Sequence, residues 1–101
     1  VSPQPTDLVA KNLNPTETLA ALLQARATLA VLPSFEREPA EQALRALADD
    51  LGLKLGQLLA PVRVAVSGQS VSPPLFETLE ILGRQVTLQR MRNAAKLLED
   101  L

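Results

Sequence analysis

The 101-residue chain contains no cysteine and no histidine. Disulfides, thiol nucleophiles, Cys/His zinc sites and imidazole proton shuttles are therefore excluded. Trp and Tyr are absent too, and Phe35 and Phe76 are the whole aromatic content. No apolar run approaches ~20 residues, the length a membrane-spanning helix needs, so no membrane role is expected. Neither common Gly-rich phosphate loop occurs. The carboxylates fall on helix faces and converge in no readable pair, which argues against a free-standing enzyme. The start at Val1 shows no charged n-region followed by an apolar h-region, so no signal peptide is visible. A first residue other than Met reads as a piece of something longer.

What is present is mostly Leu, Ala and Val within an apolar fraction of 47%. That balance favours packed helices over sheets, and the length allows one domain with one modest core. The net charge of −1 gives no sign of a polyanionic partner, but it averages two unlike halves. Residues 1–53 carry four bases (Lys11, Arg26, Arg37, Arg45) against seven acids, a net of −3. Residues 54–98 carry six bases (Lys54, Arg63, Arg84, Arg90, Arg92, Lys96) against Glu77 and Glu80, a net of +4. Such a split suits a protein that meets phosphate on one side; it also suits an ordinary solvated helix face.

Residues 1–13, with Pro3 and Pro5, read as a linker or the end of a preceding element, and 14–101 as one helical subdomain. Asn14-Pro15-Thr16-Glu17 is a helix start with a cap, a first-position Pro and a Glu three residues on. Leu19, Leu22, Leu23 and Ala27 follow as its stripe, and Pro33 ends it. A second helix is expected from about Pro39 to Leu51, buried through Leu44, Leu47, Ala48 and Leu51. Gly52 closes it in the left-handed conformation and Leu53 folds back on it. The third segment has Leu55, Leu58, Leu59, Val62 and Val66 at helical spacing, weakened by Gly56 and Pro61. Val62 to Val66 also alternates like a strand, but no second strand exists to pair with it, so a bent helix is expected. After a polar loop, Ser72 reads as cap and Pro73 as first residue of a fourth helix, with Leu75, Phe76, Leu79 and Leu82 buried and Gly83 as its stop. A fifth helix, about Arg84 to Leu98, buries Leu88, Met91, Ala95 and Leu98. The expected fold is all-α, a compact bundle of about five helices.

The strings Gly52-Leu53-Lys54, Pro61-Val62-Arg63-Val64-Ala65-Val66-Ser67-Gly68, Val71-Ser72-Pro73-Pro74-Leu75-Phe76-Glu77 and Leu79-Glu80-Ile81-Leu82-Gly83 together resemble the C-terminal anticodon-binding region of bacterial glutamyl-tRNA synthetases. Amphipathicity accounts for the leucines but not for those strings at that separation. The resemblance implies the distal lobe of a two-lobed helical region that holds tRNA by its anticodon loop. It implies a class I aminoacyl-tRNA synthetase, a glutamate–tRNA ligase of the cytoplasm, as the parent enzyme. Its Rossmann-type catalytic half would hold ATP with Mg, glutamate and the tRNA acceptor end, and none of that half's motifs is here. This chain would itself be non-catalytic, without a cofactor or metal, monomeric, and joined to the catalytic and proximal anticodon-binding domains of the same polypeptide.

Bases of a single-stranded loop are read on their edges by groups fixed in space, and a helix start offers outward backbone N–H groups. By the resemblance, Arg63 and the Ser72-Pro73-Pro74-Leu75 turn would contact the second and third anticodon bases. Gln69, Arg84, Arg90, Arg92 and Lys96 would be candidates for phosphate contacts. Gln69 stands where family members often carry a basic residue. With two aromatics, hydrogen bonding must outweigh stacking, and Phe76 and Met91 are assigned to the core. Plainer assignments exist for each: Ser72-Pro73-Pro74 as a helix cap, Arg63 lying over leucines, the other bases as helix formers. The alternative for the whole chain is a helical protein–protein interaction or scaffolding module that kept the fold without binding tRNA.

Overall fold

A computed structural model describes residues 13–67 and 74–100. Five helices follow in order: α1 Pro15–Ala30, α2 Arg37–Leu51, α3 Leu55–Ser67, α4 Leu75–Leu82 and α5 Arg84–Glu99. The described residues contain no strand.

The start of α1 is the capping box expected from the sequence. Asn14 Oδ1 accepts from the Glu17 N–H at 2.7 Å, and Glu17 Oε1 accepts from the Asn14 N–H at 3.2 Å, with Pro15 at the first helical position. Two of the helix's orphan donors are thereby satisfied. The buried face of α1 departs from the expected stripe. Thr18, Ala21, Leu22, Ala25 and Leu29 are buried, whereas Leu23 is 45% exposed and Ala27 faces solvent. Apolar residues surround α1 on nearly every side, so periodicity does not choose a face. The small side chains of Ala21 and Ala25 let a neighbouring helix come close, and that packing decides it.

Helix α2 begins at Arg37, two residues before Pro39. Pro39 is tolerated at the third position, where its missing N–H would have had no intrahelical partner. Gly52 at φ +70° ends the helix, and the Leu53 N–H bonds to the Ala48 carbonyl at 2.9 Å, closing the last turn. Leu51 is 39% exposed, and Ala40 joins Leu44 and Ala48 on the buried face instead.

Helix α3 runs through Pro61 and through Val62–Val66 as one helix, with no strand. Gln57 Oε1 accepts from the Lys54 N–H at 3.0 Å at its start. Pro61 removes one helical hydrogen bond, at a cost of about 3 kcal/mol in an isolated helix. Leu58, Leu59, Val62, Val64 and Val66 are each at most 7% exposed. At roughly 1.5–3 kcal/mol per buried side chain, packing outweighs the lost bond.

Helix α4 starts at Leu75 with Pro74 as its cap residue, so the cap does not fall at Ser72 nor the first turn at Pro73. Ser72 and Pro73 lie outside the described residues. The Pro74 carbonyl accepts from both the N–H and the hydroxyl of Thr78, at 3.1 and 3.0 Å. Gly83 has φ +83° and ψ 166° and serves at once as the end of α4 and the entry to α5, a conformation open essentially to glycine alone.

The most extensive pairing is α1 with α5; α1 also meets α2 and α3, while α4 packs on α2 and α5. The core joins Leu22, Leu29, Leu44, Leu58, Val62, Leu79 and Met91 across all five helices. Met91 is fully buried and Phe76 packs at the core's edge, as the sequence indicates.

Candidate nucleic-acid interface

Among the described residues no side chain caps the start of α4, where Pro74 is the cap residue. Pro74 cannot supply one, so the first N–H groups of the helix receive no acceptor from the cap residue. Pro74 is exposed, whereas the Leu75 side chain is only 3% exposed and belongs to the core. Anything Leu75 offers a ligand must therefore come from its backbone. A cleft of about 240 Å³ lies beside this turn, lined by Arg37, Glu38, Glu41, Gln42 and Pro74–Glu77. Its carboxylates repel phosphate, but Glu can accept a hydrogen bond from a base amine. Glu38 and Gln42 reach this cleft from α2, more than thirty residues upstream of Pro74 in the sequence.

Arg63 is the one charged residue of α3 and is partly buried. Its carbonyl accepts from the Ser67 hydroxyl at 2.6 Å in the last turn. Arg90 reaches that same helix end and donates to the Val66 carbonyl, where helix carbonyls lack partners and the dipole favours a cation. Arg84 donates to the Leu32 carbonyl, and its guanidinium carbon lies 5.6 Å from the Phe35 ring centroid. Arg84 and Arg90 thus tie α5 to the α1–α2 connection and to α3. Arg92 and Lys96 are exposed and form no ion pair among the described residues. Gln69, Ser72 and Pro73 lie outside the described residues.

Tertiary structure redistributes the charge that the sequence divides by halves. Glu77 of α4 pairs with Arg37 of α2 at 2.9 Å, placing the acids of the basic half against the acidic half. Arg26, from the acidic half, donates its Nε to the Leu88 carbonyl of α5 at 3.1 Å. The α1–α5 pair carries Arg26, Arg84, Arg90, Arg92 and Lys96 against two acids, Glu17 and Glu99. The α2–α4 pair carries Arg37 and Arg45 against Glu38, Glu41, Asp49, Asp50, Glu77 and Glu80. Arg26 was invisible as a binding candidate because its neighbours in sequence are not its neighbours in space.

No group of three or more His, Asp or Glu side chains able to hold a metal gathers among the described residues, and no described helix is long and apolar enough to cross a membrane. The described residues form an all-helical bundle in which Arg26, Arg84 and Arg90 donate to backbone carbonyls and not to carboxylates. The sequence model of the family described as "Anticodon binding domain" matches residues 1–95. The chain belongs to that family, the anticodon-binding domains. Its curated relatives include glutamate–tRNA ligases. That of Roseiflexus sp. (strain RS-1) is 47% identical over 92 residues, covering 91% of this chain and 18% of the relative. That of Dehalococcoides mccartyi (strain CBDB1) is 43% identical over 101 residues, covering 100% and 21%, and that of Rhodococcus jostii (strain RHA1) is 46% identical over 86 residues, covering 84% and 17%. The chain therefore spans about a fifth of the length of these relatives.

Proposed function

We propose that this chain is the distal anticodon-reading lobe of a glutamate–tRNA ligase, a class I aminoacyl-tRNA synthetase acting in the cytoplasm. It positions the glutamate tRNA while the remainder of the polypeptide, using ATP and Mg, joins glutamate to the acceptor end. Arg63, Ser72, Pro73, Pro74 and Leu75 form the reading element. Arg63 and Ser72 contribute side chains, Leu75 contributes its backbone N–H, and the two prolines hold the turn. The observation carrying this reading is a start of α4 that no described side chain caps, inside a chain whose relatives are tRNA ligases across nearly its whole length. A helix start without its own acceptor is suited to an acceptor brought by a ligand.

Binding of glutamate tRNA by the 101-residue chain, compared with transcripts substituted at the second or third anticodon base, tests the reading. Arg63→Ala is expected to cost about 1–3 kcal/mol toward the cognate transcript and less toward the substituted ones. Equal losses for every transcript would remove Arg63 from base reading. Absence of salt-sensitive tRNA binding by the unaltered chain at low salt would favour a protein-binding module instead.

A further inference from the structure

We infer that the groove between α1 and α5 is a second RNA contact, a track for the sugar-phosphate backbone centred on Arg26, Arg92 and Lys96. The inference rests on the anticodon-domain reading and adds to it a surface separate from the start of α4. Two clefts run along this groove. One, of about 370 Å³, is lined by Leu23, Arg26, Arg92, Ala95, Lys96 and Glu99. The other, of about 630 Å³, is lined by Arg26, Gln85, Val86, Leu88, Gln89 and Arg90. Arg26 lines both, so it stands where they meet. Gln85, Gln89, Arg92 and Lys96 follow at intervals of four, three and four residues, which places them on a single face of α5. That stripe extends about 17 Å along the helix. The acid of α5, Glu99, stands one turn beyond Lys96 and lines the same cleft as the three cations.

The charge of this groove is left for an outside partner. Arg26 and Arg90 donate to the Leu88 and Val66 carbonyls rather than to carboxylates. Neither guanidinium forms an ion pair among the described residues. The Arg26 bond uses Nε, and among the described residues its terminal nitrogens have no partner, leaving the forked end that recognises phosphate. Arg92 and Lys96 stand one helical turn apart, close to the spacing of successive phosphates on a strand. The groove offers Val86 (41% exposed) and Leu23 (45% exposed) at its edges but no aromatic platform, so it suits backbone contact and not base stacking. Arg90 also reaches the Val66 carbonyl at the end of α3, one turn beyond Arg63. The track thus leads up to a proposed reading residue.

The test uses the double variant Arg92→Gln/Lys96→Gln, which breaks no hydrogen bond or ion pair among the described residues, together with Arg26→Gln. Affinity for glutamate tRNA and for anticodon-substituted transcripts is measured across a salt series. The double variant should weaken all transcripts by the same factor. It should also lower the slope of log K against log salt by about 1.4–1.8, for two lost phosphate contacts. Arg26→Gln should lower it by about 0.7–0.9. If the slope is unchanged while the unaltered chain still discriminates anticodons, the groove is only a solvated face and the reading of α4 stands. If the variants lose discrimination instead, the groove reads bases and the backbone assignment is overturned. If the unaltered chain binds no tRNA, this inference falls together with the anticodon reading.

Discussion

The backbone N–H of Arg37 donates to the Glu80 carboxylate at 3.1 Å, so the start of α2 is capped from α4. Glu36, the residue in the cap position of α2, makes no capping bond of its own. One turn earlier on α4, Glu77 holds the Arg37 guanidinium at 2.9 Å. The two bonds differ in kind. The first satisfies a backbone donor and sets a carboxylate against the positive end of a helix. The second is a surface ion pair whose members are each more than half exposed, a geometry worth little.

Glu80→Ala should therefore destabilise the domain more than Glu77→Ala does, by roughly 1 kcal/mol against less than about 0.5 kcal/mol. Urea unfolding of the two variants compares them directly. A larger loss for Glu77→Ala would mean that the side-chain pair, and not the cap, fastens α4 to α2.

Gly83 carries two helices on one residue. Its φ of +83° with ψ 166° is strained for any side chain, although an added Cβ would meet nothing within 4 Å. Gly83→Ala should cost on the order of 1–3 kcal/mol from backbone strain alone, visible as a lower Tm with an unchanged helical circular dichroism spectrum. An unchanged Tm would show that the α4–α5 junction relaxes to another conformation.

Thr87 is fully buried, and its hydroxyl has no partner among the described residues. Leaving such a group unpaired costs about 1–3 kcal/mol, whereas an apolar group of the same shape carries no such penalty. Thr87→Val should accordingly raise stability by roughly 1 kcal/mol, read from the denaturant midpoint at constant m. Destabilisation would place a hydrogen-bond acceptor, or a buried water, beside that hydroxyl.

Arg84 and Arg92 lie on the same helix, yet their variants should behave oppositely. Arg84→Ala removes a charged donor from the Leu32 carbonyl and a contact with Phe35. A loss of about 1.5–3 kcal/mol in stability is expected. Arg92→Ala, on an exposed position without an ion pair, should alter stability by no more than ~0.5 kcal/mol and act on tRNA affinity alone. Thermal unfolding and tRNA binding measured on both variants separate the arginine that builds the bundle from the one that faces RNA.

The sequence alone determined what local rules govern. Asn14, Pro15 and Glu17 contain their capping box because its partners lie within one turn. Gly52 and Gly83 mark helix ends because few other residues tolerate positive φ. The alternation of Val62 to Val66 left helix and strand open by pattern; the want of a second strand pattern in the sequence favoured a helix, and α3 is one. The family, too, was legible, because the Arg63-to-Gly68 and Ser72-to-Glu77 strings exceed what helix formation requires. The buried face of α1 was not legible. A helix apolar on nearly every side has no preferred direction until Ala21 and Ala25 admit a neighbour. Nor could the sequence pair Arg26 with Leu88, sixty-two positions away, or withdraw Arg84 and Arg90 into bonds with carbonyls. Charge counted along the chain sorts by sequence position, but electrostatic potential depends on distance in space, so only the folding of α1 onto α5 and α4 onto α2 decided which face of the bundle is basic.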